Sequence, residues 1–237
     1  MYSAKPDPIA ISHRGLHAAL PENSIPAFEA AIAAGADGIE LDVHASADDV
    51  LFVHHDPALL VGGSQVPFTE LDSADISRLT LDGRTGIPTL DDALTKIGSR
   101  ALVFIEIKAT GVENAVVRCL KRHVHNADRY AVHAFDHRVV KRMLELMPSI
   151  RTGILQVSYL VDSCSVMRKT GATDLWQHAD FIDARLVTDV HSSGGRLIAW
   201  TPDSEVRWVA LAALGVDGIC TDRIDSYVAW RTDGRGT

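Results

Sequence analysis

Short apolar runs alternate along this chain with longer amphipathic stretches, and the alternation predicts strands and helices in turn. Runs of strand length fall at 9–12, 38–43, 102–107, 131–134, 152–155, 173–176, 197–200 and 218–221. Stretches of helical length lie between them, at 24–34, 112–123, 137–147, 186–193 and 204–214. A strand followed by a helix, repeated until there are eight strands, predicts a closed (β/α)8 TIM barrel as a single α/β domain over 1–237. A further apolar run at 51–54 predicts an extra strand beside the second. Local punctuation supports these boundaries: Asn23 or Ser24 can cap the first helix and Gly35 close it, while the turn before Ser204 introduces a helix that Gly215 ends. The segment 57–86 breaks the rhythm, with Gly62 and Gly63 together, Pro67, and only a short helical pattern near 69–79. It is expected to be a compact insertion after the second strand unit, and 231–237 a frayed tail.

Polar residues inside these apolar strands carry the chemistry. Alternate side chains of a strand point the same way, so Glu40 and Asp42 project together while Ile39, Leu41 and Val43 face the opposite layer. Two carboxylates this close are unfavourable unless something positive lies between them, which makes the pair a seat for a hard divalent cation. Glu106 and Lys108 share one face of another strand by the same parity. Either they pair with each other or they face a ligand, because a buried, unpaired carboxylate costs at least a few kcal/mol. His13 and Arg14 end the first strand, and His55 and Asp56 follow the extra one. Active sites of such barrels sit at the C-terminal strand ends, so these side chains, with Trp200, are expected to ring one mouth.

Composition narrows the class. The chain has 237 residues, 46% of them hydrophobic, and a net charge of −8 with no Lys/Arg block, so a nucleic-acid footprint is missing. Its three cysteines, Cys119, Cys164 and Cys220, are odd in number and set in apolar patterns, as expected of buried thiols in a reducing compartment. No basic segment followed by an apolar stretch opens the sequence, and no apolar run approaches a membrane span. A cytoplasmic location without stable membrane insertion is the expectation, with assembly as a homo-oligomer left open.

Eight pieces, in order, carry a family likeness: H-R-G from His13, P-E-N-S from Pro21, G-A-D-G-I-E-L-D-V from Gly35, H-D at His55, I-P-T-L from Ile87, E-I-K from Glu106, A-W-T from Ala199 and L-G-V-D-G-I-C-T-D from Leu214. In this set and spacing the chain resembles the glycerophosphodiester phosphodiesterase family over nearly its whole length. The resemblance implies a metal-dependent hydrolase that cleaves glycerophosphodiesters to sn-glycerol 3-phosphate and an alcohol. Carried onto these positions, it implies His13 and His55 as general acid and base, Glu40, Asp42 and Glu106 as ligands of one Mg²⁺ or Ca²⁺, and Arg14 and Lys108 on the phosphate. Trp200 would wall the alcohol or glycerol. Arg14 could meet phosphate in a bidentate fork, and imidazole suits proton transfer near neutral pH. With a negative net charge, an anionic substrate has to be captured by these local cations. The chain departs from the family pattern at P-A-L-L-V-G-G-S after Asp56 and A-V-H-A-F around His133, both expected beside the pocket.

Two other readings use the same residues. One is a lysophospholipase D-type phosphodiesterase, which needs an acyl groove larger than Leu59, Leu60 and Val61 provide. The other is a non-catalytic barrel that binds metal or phosphate, which would not need two proton-transfer groups. Among the remaining histidines, His54 should point away from the mouth. His17, His133 and His178 stand near strand ends, and His44, His123, His125, His137 and His191 are expected on solvated surfaces. Asp56 could orient His55 or shape its turn.

Overall fold

The computed structural model describes residues 7–233. Its strands, in chain order, are β1 (Ile9–His13), β2 (Gly38–Ala45), β3 (Leu51–Val53), β4 (Ala58–Val61), β5 (Ser64–Pro67), β6 (Leu102–Ile107), β7 (Tyr130–Ala134), β8 (Arg151–Gln156), β9 (Asp174–His178), β10 (Arg196–Trp200) and β11 (Gly218–Thr221). All except β3, β4 and β5 form a parallel sheet in the order β1-β11-β10-β9-β8-β7-β6-β2, and β1 pairs with β2 to close the barrel. The helices are α1 (Ile25–Ala33), α2 (Ser73–Ile76), α3 (Leu90–Ile97), α4 (Glu113–Arg122), α5 (His137–Leu146), α6 (Ser163–Thr170), α7 (Ala184–Ser192), α8 (Glu205–Leu214) and α9 (Ile224–Thr232).

Strand parity divides the core in two. Outward residues such as Ile39, Leu41, Val103, Ile105, Leu175 and Ile219 pack under the helices, each buried side chain of this size contributing about 1.5–3 kcal/mol. Inward residues Ile11, Phe104, Ala131, Leu155, Trp176, Ile198 and Cys220 fill the barrel, with Trp200 packed against them. Gly153 makes room for this filling, because a Cβ there would lie 2.7 Å from the Trp176 ring. The apolar plug supports a polar layer above it, where Asp42, Glu106 and His133 stand level in register across β2, β6 and β7.

The predicted strands all occur, with ends shifted by a few residues, and the run at 51–54 is β3, antiparallel to β2. The insertion differs from its expected outline. Gly62 and Gly63, both at positive φ, turn a β4–β5 hairpin, and the helical pattern near 69–79 shrinks to a 3-10 turn and the four residues of α2. Phe52, Leu59, Phe68, Ile76 and Ile87 give this segment a core of its own. Helices α3, α6 and α9 were not among the predicted stretches. α3 starts on a reciprocal cap between Thr89 and Asp92, and α6 on the Asp162 side chain. The expected frayed tail is helical as far as Thr232, with Arg231 bonded to Asp37; positions 234–237 lie outside the described residues.

Candidate active site

The end of β1 presents two functional side chains in succession through a tight left-handed turn. Arg14 has φ 55° and Gly15 φ 85°, and a Cβ on Gly15 would meet the Ala27 backbone at 2.7 Å. A non-glycine residue in this conformation is uncommon and is held by its surroundings. Here the Arg14 N–H donates to Glu40 O (3.0 Å) and the Asn23 N–H donates to Arg14 O (2.9 Å). Ser24 caps α1, accepting from the Ala27 N–H. Asn23 instead serves the site: its side-chain amide donates to Asp42 Oδ2 at 2.8 Å, and its own φ is 55°.

A cavity of about 340 Å³ opens at the C-terminal ends of the strands, lined by His13, Arg14, Glu40, His55, Glu106, Lys108 and Trp200 among others. That volume lies within the range of small-molecule pockets. Asp42 lies fully buried beside it, where Arg14 Nε approaches Oδ2 at 3.0 Å and Lys108 Nζ approaches Oδ1 at 3.3 Å. Lys108 also pairs with Glu106 Oε1 at 2.8 Å, so the two alternatives for Glu106 and Lys108 coexist: they pair, and they face the cavity. Burial alone would raise the Asp42 pKa, but the Arg14 and Lys108 charges outweigh it and hold the group below the usual carboxylate range. At Glu40 the His13 and Arg14 charges are outweighed. Burial, and after it the Asp42 charge, push Glu40 up to about 8.

The two imidazoles expected at the mouth are both there, each with Nδ1 on a carboxylate. His13 Nδ1 lies 2.7 Å from Asp222 Oδ1, and His55 Nδ1 lies 2.8 Å from Asp56 Oδ1. In each ring this leaves Nε2 as the free nitrogen; in His13 it lies 3.9 Å from Glu40 Oε2. Burial works against a charge on His13, yet the Asp222 hydrogen bond and the Glu40 charge prevail and raise its pKa. Asp222 itself is depressed: burial opposes ionisation, and the His13 and His17 hydrogen bonds outweigh it.

Glu40, Glu106 and His133 are buried and offer ligand atoms within 4.8 Å of one another, a group able to hold a divalent ion. Glu40 Oε2 and His133 Nδ1 make no hydrogen bond, so unsatisfied donor atoms remain at this point, as a cation seat requires. His133 stacks on Trp176 with centroids 4.2 Å apart, and burial lowers its pKa to about 4, which keeps the imidazole neutral and fit to ligate.

The remaining histidines divide. His54 lies outside the cavity, as expected, and packs against Phe68. His44 was expected to be solvated and is 6% exposed, stacked on Phe68 and donating to His55 O at 3.0 Å. Its strand continues two residues beyond the predicted end, which carries it under the insertion. His125 is exposed, whereas His123, His137 and His191 are partly buried and bonded to Asp91, Leu155 O and Asp217. Sequence reasoning gave Asp222 no role beyond its motif, and the contact that reveals one spans 209 residues.

The family model for the glycerophosphoryl diester phosphodiesterase family matches residues 13–226. A glycerophosphodiester phosphodiesterase of Caldanaerobacter subterraneus subsp. tengcongensis is 30% identical over 234 residues, covering 93% of this chain and 96% of that protein. One from Bacillus altitudinis is 30% identical over 241 residues, with 94% and 97% covered. Among solved structures, an Oleispira antarctica phosphodiesterase in complex with the product sn-glycerol-3-phosphate has the same fold, with a TM-score of 0.86 at 23% identity over 93% of this chain and 95% of that one. With a matching family model over most of its length and these relatives end to end, the chain belongs to the glycerophosphoryl diester phosphodiesterase family, an enzyme class of phosphoric diester hydrolases.

Proposed function

We propose that this chain hydrolyses glycerophosphodiesters to sn-glycerol 3-phosphate and an alcohol, using a divalent cation and two imidazoles. The observation that carries the reading is the convergence of His13, His55, Arg14, Lys108, Glu40 and Glu106 on one cavity. Glu40, Asp42 and Glu106 would hold Mg²⁺ or Ca²⁺, both oxygen-seeking ions; Asp42 is the least available of the three because Arg14, Lys108 and Asn23 already engage it. Bound there, the ion would neutralise phosphate oxygens and polarise the phosphorus.

The protein's own groups supply the rest. Arg14 and Lys108 bring two positive charges to the cavity and pair with the non-bridging phosphate oxygens. One imidazole takes a proton at Nε2 from the attacking hydroxyl as the new P–O bond forms. The other gives its Nε2 proton to the alkoxide as the old P–O bond breaks. Asp222 and Asp56, on the two Nδ1 atoms, keep the rings in the tautomer that exposes Nε2. Trp200 walls the space above Leu155 and Cys220, where the alcohol or glycerol portion rests. The same arrangement serves attack by water or by the glycerol hydroxyl, and phosphorus NMR for a cyclic phosphate distinguishes the two.

The test is release of glycerol 3-phosphate from choline, ethanolamine, glycerol and inositol diesters, after chelation and again with Mg²⁺ or Ca²⁺ restored. Metal-dependent release is expected from at least one diester. Release from none of them, with hydrolysis of a lysophospholipid in a parallel arm, would replace the reading with the lysophospholipase D type. Inactivity in every arm would leave the non-catalytic barrel. Among the described residues, no helix is long and apolar enough to cross a membrane.

A further inference from the structure

At the edge of the mouth, two imidazoles aim at a single atom. His13 Nδ1 lies 2.7 Å and His17 Nε2 lies 3.1 Å from the same oxygen, Asp222 Oδ1. We propose that His13, His17 and Asp222 form a second cation site, beside the carboxylate cavity and sharing His13 with it, that takes a divalent transition ion of the Zn²⁺ type, and that its occupation arrests turnover by capturing His13. The arrest rests on the reading of His13 as a proton-transfer group; the binding does not.

Geometry favours such a site. A ring nitrogen's lone pair lies where its N–H would lie, so two rings hydrogen-bonded to one oxygen have lone pairs converging on one point. An ion arriving there meets both nitrogens if the carboxylate swings back to become the third ligand. The three ligand atoms already lie within 4.8 Å of one another, and ligand distances near 2.0–2.2 Å are what Zn²⁺ takes from nitrogen and carboxylate oxygen. Two imidazoles with one carboxylate suit a borderline ion, whereas Mg²⁺ and Ca²⁺ prefer the carboxylate oxygens of the cavity. The site is reachable from solvent: the His17 side chain is 21% exposed and that of Asp222 36%. Its backing is firm, since Asp203 Oδ1 accepts from the Asp222 N–H at 2.9 Å and the Thr221 hydroxyl at 2.7 Å. The other mixed cluster, Asp91 with Cys119 and His123, is closed to such an ion: Arg122 sits 2.8 Å from Asp91, and burial pushes the Cys119 thiol up to about 12.

The consequence for His13 is definite. An ion on Nδ1 confines the ring's remaining proton to Nε2, facing Glu40, so the ring can no longer gain a proton and lose it within one cycle.

The experiment titrates the full chain, saturated with Mg²⁺, with Zn²⁺ alone by calorimetry and follows diester turnover in the same solutions. His17→Ala should weaken Zn²⁺ binding by more than about tenfold, at least what loss of an outer-shell partner costs a metal site. It should keep its turnover without Zn²⁺ and resist Zn²⁺ inhibition, whereas Cys119→Ser should bind and be inhibited like wild type. Equal Zn²⁺ affinity in wild type and His17→Ala would overturn the site. A site filled without loss of turnover would overturn the arrest. Should no diester be hydrolysed at all, calorimetry on the two variants still decides the binding, so failure of the proposed activity and failure of the site give different results.

Discussion

The two ends of the barrel treat buried charge in opposite ways. At the N-terminal end the carboxylates are filled. Asp174, fully buried, accepts from Arg196 at 2.9 and 2.5 Å and from the Thr173 hydroxyl at 3.2 Å. Asp217 Oδ2 accepts the Leu197 N–H at 2.7 Å and the His191 Nε2–H at 2.8 Å, and Asp37 accepts from Ala10 N and Arg231. At the C-terminal end, Glu40 keeps an oxygen, and His133 and Trp200 each a ring nitrogen, without a hydrogen bond. Leaving a buried polar atom unpaired costs roughly 1–3 kcal/mol. The difference is one of carboxylates: those at the N-terminal end are paired, whereas at the C-terminal end Glu40 keeps an oxygen without a hydrogen bond.

That contrast predicts separable losses. The largest should come from His13→Ala and His55→Ala, each lowering turnover by about 10²–10⁴-fold while metal content and thermal midpoint stay near wild type; a collapsed midpoint would break the division. At the other end, Arg196→Met should cost about 3–5 kcal/mol in denaturant unfolding, since it strands the buried Asp174, with kcat and KM preserved at temperatures where the variant is folded. Glu40→Gln should weaken divalent binding by more than about tenfold and leave the metal-free midpoint unchanged or higher, because it removes a buried carboxylate whose Oε2 makes no hydrogen bond; equilibrium dialysis and calorimetry read the two. Trp200→Ala should raise KM roughly tenfold with little change in kcat, as expected when contact with the alcohol is lost equally from ground and transition states.

The smallest effect lies on the flank, at Asp91. Burial would raise its pKa, but hydrogen bonds from Arg122 and His123 outweigh it and hold the group below the usual carboxylate range. A folded-state pKa below the unfolded one adds stability above the unfolded value, about pH 4, and loses it as pH falls through the lowered value. With the side chain 47% exposed, the contribution should stay below about 1 kcal/mol. Asp91→Asn should therefore be less stable than wild type near about pH 6 and approach it near about pH 3 in thermal scans. A large difference at this exposed flank would blur the comparison between the two ends.

Parity made much of the mouth legible in the sequence. Glu40 and Asp42 had to share a face, and apolar neighbours fixed that face as the inner one. The same rule placed Glu106 and Lys108. What it could not give is register: His133 becomes a neighbour of Glu106 only because β7 pairs with β6 at that level, and its Trp176 support, two strands away, depends on Gly153 on the strand between. Asn23 read as a helix cap because its type suits one, yet Ser24 takes that place and Asn23 turns to Asp42. The Gly62–Gly63 pair marked the insertion without its hairpin, and the reciprocal cap at Thr89 and Asp92 was a local signal for α3.

The bond between His13 and Asp222 joins side chains 209 positions apart, from the first and last barrel strands. On a ribosome, therefore, His13, Glu40, His55, Glu106 and Lys108 are all made well before the carboxylate that meets His13 Nδ1. Strand β11 closes the sheet against β1, and α9 then locks it through Tyr227 and Arg231 on Pro8. A chain cut before β11 would lack both the pairing that closes the sheet on β1 and the carboxylate that meets His13 Nδ1.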